Sequence, residues 1–230
     1  LKGLGTFVAG IIHEIKNPLV AVKTFTQLVA KDWENKELRE KCQGIVLPQL
    51  QRITKLSNSL HHLDRFEMAP FEPSDIAKLL AHTVELIKAH QTYDTHIKIV
   101  AKIEPKTMVF SDTQALGQVI LNLALNAVDV VKNNKDPEIK LSVVTEDYTN
   151  VVIEVEDNGG GIAEADVPYL FDPFFTTKAD GTGLGLSIVH QIITDHRGSI
   201  ELYKNTGSCT TFRIVLPKLL KSKIREKETA

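Results

Sequence analysis

Residues 4–63 repeat apolar side chains at steps of mostly three and four, and this spacing restricts the fold more than any other feature. The first run contains Leu4, Val8, Ile11, Ile15, Leu19, Val22 and Val29, and the second contains Cys42, Ile45, Ile53, Leu56, Leu60 and Leu63, with the polar residue Gln49 at one position of the same spacing. Such spacing is typical of the seam of a helical bundle or coiled coil. Residues 32–35 interrupt it, so the segment predicts two helices joined by a short loop, with a kink at Pro48.

A single helical hairpin leaves each apolar seam half covered. Two hairpins together would close a four-helix bundle, so this segment predicts a homodimer. The period changes at residues 68–73, which contain two prolines. We therefore expect four parts: a hairpin at 1–67, a linker at 68–73, a second domain at 74–218 and a basic tail at 219–230.

The second domain mixes strand and helix patterns. Alternation predicts strands at 97–103, 107–110, 138–146, 150–157, 199–204 and 210–216. Helical spacing predicts helices at 75–90, 112–132 and 184–196, the first of them capped by Ser74. A long loop with one helical turn is expected at 163–181. The predicted fold class is therefore multidomain: an α hairpin followed by an α+β sandwich, with one mixed sheet and helices on one face.

Composition excludes several classes of function. The formal net charge of -2 over 230 residues gives no electrostatic case for binding nucleic acid or an anionic membrane. Cys42 and Cys209 are far apart and form no metal or redox motif, which indicates a reducing compartment. The chain begins inside an expected helix, so we expect a fragment from which upstream segments have been removed. We expect this fragment to be cytoplasmic, and any membrane anchor of the full-length protein to lie in the upstream segments.

The stretch His13-Glu14-Ile15-Lys16-Asn17-Pro18-Leu19 lies early in the first helix. His13 falls on the face opposite the seam, where a histidine is most often a plain surface residue. Glu14 can hold one ring nitrogen and accept its proton, leaving the other nitrogen as a nucleophile. Asn17 follows one turn later and can orient a water molecule. Pro18 lacks an amide donor, so the helix can bend there. Together these residues indicate that His13 acts as a nucleophile.

Two glycine-rich stretches indicate a nucleotide pocket. Asp157-Asn158-Gly159-Gly160-Gly161-Ile162 follows a predicted strand, and a buried aspartate there can accept a hydrogen bond from an exocyclic amine such as that of adenine. A plain glycine-rich turn is the alternative. Gly181-Thr182-Gly183-Leu184-Gly185-Leu186 runs into a helix, which suits an anion such as phosphate. A Rossmann site is excluded, because a proline-containing loop precedes this stretch.

Asn122 and Asn126 lie four residues apart on an otherwise apolar helix and therefore share one face. Buried amides need partners, so they either hydrogen-bond to backbone or supply a Mg²⁺ ligand and a phosphate contact. Three phenylalanines at 171–175 are either core residues or part of a lid. Lys178 is either a solvated lysine or a contact to the terminal phosphate.

These elements in this order resemble the transmitter core of two-component sensor histidine kinases, over nearly the whole chain. Residues 13–19 resemble the phosphoacceptor motif of the dimerisation and histidine-phosphotransfer domain. The asparagine motif corresponds to 122–126, the two glycine motifs to 157–162 and 181–186, and the phenylalanine motif to 171–175.

The resemblance implies an ATP-binding sandwich shared with gyrase, heat-shock chaperone ATPases and mismatch-repair ATPases. It implies phosphorylation of His13 by ATP with Glu14 as base, transfer to an aspartate of a response regulator, and a phosphatase role for Asn17. Asn126 would bind Mg²⁺. The implied nucleotide contacts are Asn122, Asn126, Asp157, Gly159, Gly161, Ile162, Lys178, Gly181, Thr182, Gly183, Leu184, Gly185 and Thr210.

Two positions depart from related patterns. Asn122 stands where the related hydrolases carry a glutamate that activates water, which favours transfer to histidine over hydrolysis. Asp129 stands where many members of the family carry a basic residue that contacts phosphate; Lys178 or Lys132 could substitute. Asp129 keeps open a second hypothesis, a phosphatase or scaffold that ATP only switches. An ATP hydrolase is a third, and Asn122 argues against it.

Overall fold

The computed structural model describes residues 2–64, 70–90, 97–103, 107–145, 149–178 and 181–218. Within these ranges, the side chains of residues 2–11, 13–14, 51–52, 55–64, 89–90 and 144–145 are not described. The chain divides into two compact units. One contains Leu1–Phe66 and Asp172–Gly185, and the other contains Glu67–Phe171 and Leu186–Ala230.

The first unit contains the predicted helical hairpin, with α1 at Lys2–Lys31 and α2 at Lys36–Asp64. Asn35 is the N-cap of α2, because its side-chain oxygen accepts the Leu38 N–H at 3.0 Å. Pro18 and Pro48 both lie inside their helices without ending them. Several large apolar side chains of the hairpin are exposed: Ile12, Leu19, Val20, Leu28, Leu47 and Leu50.

The second unit is built on a five-stranded sheet, whose strands are β2 (Lys98–Ile103), β4 (Glu138–Thr145), β5 (Asn150–Asp157), β6 (Ser199–Thr206) and β7 (Cys209–Pro217). Their order in the sheet is β2-β4-β5-β7-β6. Strand β2 is parallel to β4, and the other neighbours are antiparallel. The sheet is therefore mixed, as the sequence predicts.

Three helices share one hydrophobic core with this sheet. They are α3 (Ile76–His90), α4 (Thr113–Val131) and α5 (Gly185–Asp195). Their apolar faces, including Leu80, Ile120 and Ile193, join strand residues such as Ile153 and Ile214 in one buried cluster. The predicted fold class, a helical segment followed by a sandwich with a mixed sheet, is confirmed.

The other sheet face carries cross-strand charge pairs. Arg213 on β7 bonds Glu154 on β5 at 2.8 Å, and Lys140 on β4 bonds Glu156 on β5 at 2.7 Å. Opposite charges at facing positions stabilise neighbouring strands. This alternation of charged and apolar residues along β5 and β7 orients the sheet, so that Asp157 at the end of β5 belongs to the buried side.

A short strand, β1 (Glu72–Asp75), lies where the sequence predicts the linker and the start of a helix. It pairs antiparallel with β3 (Met108–Ser111). Pro73 is compatible with this two-stranded sheet, because proline is tolerated where a strand has a free edge. A helical turn, Val167–Tyr169, lies in the long loop as predicted.

The predicted cap at Ser74 is wrong. Ser74 is a buried strand residue whose hydroxyl lies 2.7 Å from that of Ser111 and 2.5 Å from that of Thr113. Asp75 takes the capping role, because its carboxylate accepts the Ala77 N–H at 3.1 Å. The last hairpin is also tighter than predicted, since β6 continues to Thr206 and β7 begins at Cys209. The predicted tail at 219–230 lies outside the described residues.

Within the described part of the chain, α4 is the one helix long and apolar enough to cross a membrane by length and composition. Core helices of soluble proteins pass the same test. Seven residues of α4 are buried in the second unit: Leu116, Val119, Ile120, Leu123, Ala124, Ala127 and Val131. Its apolar character is therefore explained by the core.

Candidate functional site

The candidate site is centred on Asp157, the last residue of β5. Asp157 is only 6% exposed and lies opposite Thr210, near the start of β7. The Gly159 N–H donates to Asp157 Oδ1 at 2.8 Å, and the Thr210 side chain also hydrogen-bonds the carboxylate. Burial raises the pKa of Asp157 above its ordinary value, while these two hydrogen bonds act in the opposite direction. A buried, oriented carboxylate of this kind suits a donor such as an amino group.

Two of the three glycines after Asp157 are required by close contacts. A Cβ on Gly159 would lie 2.2 Å from Val130 Cγ1, and a Cβ on Gly161 would lie 2.2 Å from the Thr206 carbonyl oxygen. Gly161 also has a φ of 74°, which glycine adopts without strain. Gly160, by contrast, has open space around it. The structure therefore explains Gly159 and Gly161 by packing, beyond a simple turn.

Asparagine side chains anchor this loop at both ends, which the sequence does not indicate. The Asn158 side chain donates to the Asp136 carbonyl at 2.6 Å and accepts the Glu138 N–H at 2.8 Å. The Asn205 side chain accepts the Ile162 N–H and donates to the Ile162 carbonyl, both at 2.8 Å. Both contacts join segments distant in sequence, so no local pattern reveals them.

Helix α4 places the asparagine pair beside the same loop. Asp112 caps the helix by accepting the Ala115 N–H at 3.0 Å. Val130, which Gly159 approaches, lies four residues after Asn126 and thus on the same face. The structure therefore brings the Asn126 face of α4 together with the Asp157 loop. Asn122 accepts the Gln118 side-chain amide at 2.8 Å, so its partner is a side chain.

Asp129 forms an ion pair with Lys132 at 3.4 Å, and both side chains are half exposed. An exposed pair of this kind contributes about 0–1 kcal/mol. Lys132 is therefore held only weakly by Asp129.

Residues 181–185 of the second glycine stretch belong to the other unit, where they close a loop. The Phe174 N–H donates to the Gly183 carbonyl at 2.9 Å, and both residues have positive φ angles, 69° and 66°. A Cβ on Gly183 would lie 2.2 Å from the Phe174 carbonyl carbon. The Thr182 hydroxyl accepts the Leu184 N–H at 3.4 Å. This closure needs glycine at 183.

The other residues of this loop that were predicted to contact nucleotide have positions that do not depend on a ligand. Leu184 is fully buried, and Gly185 is the first residue of α5. A Cβ on Gly181 would meet the Thr176 hydroxyl oxygen at 2.2 Å. Lys178 is exposed. An anion role for these residues stays a prediction.

Phe171 packs in the second unit, with ring centroids 5.4 Å from His190 and 6.4 Å from Phe212. It therefore matches the packing alternative for the phenylalanine motif. Phe174 and Phe175 belong to the first unit.

The phosphoacceptor stretch lies inside α1, near the middle of the helix. The side chains of His13 and Glu14 are outside the described set. Asn17 is exposed and Pro18 is buried. The roles predicted for His13, Glu14 and Asn17 therefore stay predictions.

The described residues contain no group of three or more His, Cys, Asp or Glu side chains that could hold a metal ion. Magnesium commonly binds through one or two protein oxygens, with substrate phosphates and water completing its octahedron. The single amide oxygen of Asn126, on the helix face beside Asp157, fits an ion that arrives with a phosphate substrate.

Two protein families match the chain, one in each region. Residues 4–68 match the His Kinase A (phospho-acceptor) domain, and residues 111–220 match the histidine kinase-, DNA gyrase B- and HSP90-like ATPase. The chain belongs to the two-component sensor histidine kinases, as their transmitter core, which confirms the resemblance noted in the sequence.

Particular members show how far the similarity extends. The signal transduction histidine-protein kinase AtoS of Escherichia coli (strain K12) is 30% identical over 220 residues, covering 94% of this chain and 35% of AtoS. Sporulation kinase A of Bacillus subtilis (strain 168) is 33% identical over 215 residues, covering 93% of this chain and 34% of that kinase. The chain therefore spans about a third of each of these two relatives.

A solved structure of histidine kinase ThkA in complex with response regulator protein TrrA aligns with a TM-score of 0.76 and 25% identity. The match covers 94% of this chain and 62% of that chain. The nucleotide-free catalytic domain of ThkA is 30% identical, with a TM-score of 0.59 over 65% of this chain and 97% of that domain.

Proposed function

We propose that this chain binds ATP at Asp157 and transfers its terminal phosphoryl group to His13. The observation that carries this proposal is the buried Asp157 carboxylate, oriented by Gly159 and Thr210 beside the Asn126 face of α4. In a chain with a phosphoacceptor domain, this arrangement supports adenine recognition by Asp157 through the exocyclic amine.

The remaining nucleotide contacts follow from the proposed position of adenine. Asn126 would hold Mg²⁺, and the ion would supply positive charge that neutralises the phosphate oxygens. The amides of residues 181–185 cradle the phosphates. Lys178 or Lys132 contacts the terminal phosphate. Lys132 can take this role because its ion pair with Asp129 is exposed and weak.

In the transfer step, a ring nitrogen of His13 forms a bond to the γ-phosphorus as the bond to the β,γ-bridging oxygen breaks. ADP leaves, and Glu14 accepts the ring proton. The chain mainly supplies positioning and charge neutralisation. Asn122 has an amide and cannot act as the base that a water molecule would require, which supports transfer over hydrolysis.

The phosphoryl group then passes to an aspartate carboxylate of a response regulator. The complex of ThkA with TrrA supports a partner of this kind. Asn17, exposed one turn after His13, would orient a water molecule that hydrolyses the phosphoaspartate of the regulator, releasing inorganic phosphate and the free carboxylate. The exposed apolar residues of the hairpin, such as Leu19 and Leu47, support dimerisation into a four-helix bundle in the cytoplasm.

The test is labelling with γ-labelled ATP and Mg²⁺ in the Asn126→Ala variant. Label should be lost while the hairpin still dimerises. Asn133→Ala is the matched control, because Asn133 is exposed just beyond α4 and should leave labelling unchanged. Normal labelling of Asn126→Ala would remove Asn126 from the proposed metal site.

Asp129 favours a second candidate, a phosphatase or scaffold in which ATP only sets the conformation. An acidic residue beside the phosphates cannot replace a basic residue that contacts phosphate. This candidate predicts ATP binding without any label on the protein. Steady release of phosphate in the same assay would instead indicate a hydrolase.

A further inference from the structure

Asn205, at the end of β6, holds the loop after Asp157 by two hydrogen bonds to one residue. Its side-chain oxygen accepts the Ile162 N–H, and its side-chain nitrogen donates to the Ile162 carbonyl, both at 2.8 Å. The Asn205 amide therefore pairs with Ile162 much as a neighbouring strand would, although the two residues are 43 positions apart.

The backbone next to this contact is packed tightly. Gly161 has a φ of 74°, and a Cβ there would lie 2.2 Å from the Thr206 carbonyl oxygen and 3.2 Å from Asn205 Oδ1. The loop is thus seated directly on the end of β6. Thr210, which hydrogen-bonds Asp157, lies on the partner strand of the same hairpin and pairs with Asn205 in register.

One hairpin therefore positions both ends of the glycine loop. Thr210 orients the carboxylate where the loop begins, and Asn205 fixes Ile162 where it ends. Three consecutive glycines would otherwise sample many conformations, and ordering them on binding would cost affinity. A contact that orders the loop before the ligand arrives removes that cost.

We propose that Asn205 is a positioning residue for nucleotide binding, which preorganises the loop at residues 159–162 around the adenine of ATP. This inference rests on the proposed function, in which Asp157 contacts adenine. Asn205 acts through Ile162 and does not touch the transferred phosphoryl group. Its loss should therefore raise the KM for ATP and leave kcat at saturating ATP unchanged.

The experiment compares Asn205→Ala with Ser208→Ala in the full chain. Ser208 is exposed in the same β6–β7 turn and serves as the matched control. ATP affinity is measured by calorimetry, and the rate of labelling is measured as a function of ATP concentration. Because two hydrogen bonds are lost, we expect the Kd and the KM for ATP to rise about ten- to hundredfold in Asn205→Ala alone.

Amide hydrogen exchange of the nucleotide-free protein supplies a local readout. The Ile162 amide should exchange faster in Asn205→Ala. The Gly159 amide, which donates a hydrogen bond to the Asp157 side chain, should keep its protection from exchange. A general loss of structure would accelerate both amides. If Asn205→Ala does not fold, Asn205→Asp replaces it, because aspartate keeps the size and one acceptor but loses the donor; its KM should also rise.

Several outcomes would overturn the inference. ATP binding by the Asn205 variants as tight as that of Ser208→Ala would do so, as would a fall in kcat that matches the rise in KM. Failure of the unsubstituted protein to bind ATP would overturn the proposed function and this inference together. Tight binding by every variant would overturn the inference alone.

Discussion

Asp157 and Thr210 lie opposite each other across the antiparallel strands β5 and β7, and the Thr210 side chain hydrogen-bonds the buried Asp157 carboxylate. This pair sets both the orientation and the charge of the group that we assign to adenine. Burial raises the pKa of Asp157, and the hydrogen bond from Thr210 lowers it. The protein therefore keeps a carboxylate in a place where its charge is costly.

Replacing Asp157 by asparagine should separate stability from binding. Because its pKa is raised, the folded chain binds this proton more tightly than the unfolded chain does, so the ionised group destabilises the fold above the raised pKa. The nucleotide-free Asp157→Asn variant should therefore be more stable than the unsubstituted protein at pH 7. The difference should vanish as the pH falls below about 3.9, the ordinary pKa of aspartate. Urea titrations at several pH values measure it.

The same variant should bind ATP about ten- to hundredfold more weakly, because it loses a hydrogen bond to a charged acceptor. Thr210→Val provides the complementary change. Without the hydroxyl, the pKa of Asp157 should rise further, which NMR titration of the carboxyl carbon measures. A pKa that falls in Thr210→Val would contradict the assigned hydrogen bond.

Gly159→Ala should weaken ATP binding about ten- to hundredfold, since its Cβ would overlap Val130 and forcing extra atoms into a packed site costs about 1–3 kcal/mol. Adding Val130→Ala should restore part of the affinity by making room. Gly160→Ala is the control, because a Cβ there meets open space. Equal affinities for the two single glycine variants would show that the contact with Val130 has no effect on the site.

Gly183→Ala should open the loop that Phe174 and Gly183 close. Alanine at a positive φ costs about 1–2 kcal/mol, and its Cβ would overlap the Phe174 backbone. Limited proteolysis of residues 174–183 should accelerate, and labelling should slow about tenfold. Gly207→Ala, with open space at its Cβ, should behave normally. Unchanged proteolysis of Gly183→Ala would show that the loop closes without this contact.

His196→Ala should destabilise the second unit by about 1–3 kcal/mol, because it removes the acceptor of a buried amide. His196 Nε2 accepts the Asp112 N–H at 3.0 Å, its other ring nitrogen lies 2.7 Å from the Ile192 carbonyl, and its ring stacks on Phe71. Thermal unfolding measures the effect. His82→Ala, at an exposed position, should change stability little; an equal loss in both variants would contradict a specific role for His196.

Periodic patterns predicted most helices and strands, since burial of one face imposes a period on the sequence. The hairpin and strands β4 and β5 follow this rule. Strand β1 is not predicted by the sequence, because four residues with a proline are too few to show a period, and its partner β3 is distant in sequence. Ser74 resembles a helix cap in the sequence, because a hydroxyl residue just before a helix gives the same pattern whether it caps that helix or lies in a buried strand.

The candidate site divides in a similar way. Asp157, Gly159 and Gly161 were recognisable, because a carboxylate and glycines next to a strand indicate a close approach of ligand or backbone. Asn205 and Asn158 were not, because each contacts backbone far along the chain. His196 was equally hidden, since its role depends on Phe71 and Asp112 folding around it.

The most direct test of the central claim is the chemistry and location of the label after incubation with γ-labelled ATP and Mg²⁺. We predict a label that is labile in acid and stable in alkali, as a phosphorylated histidine is. It should be absent from His13→Gln, although that variant still binds ATP at Asp157. A label of this chemistry that survives in His13→Gln would contradict the account.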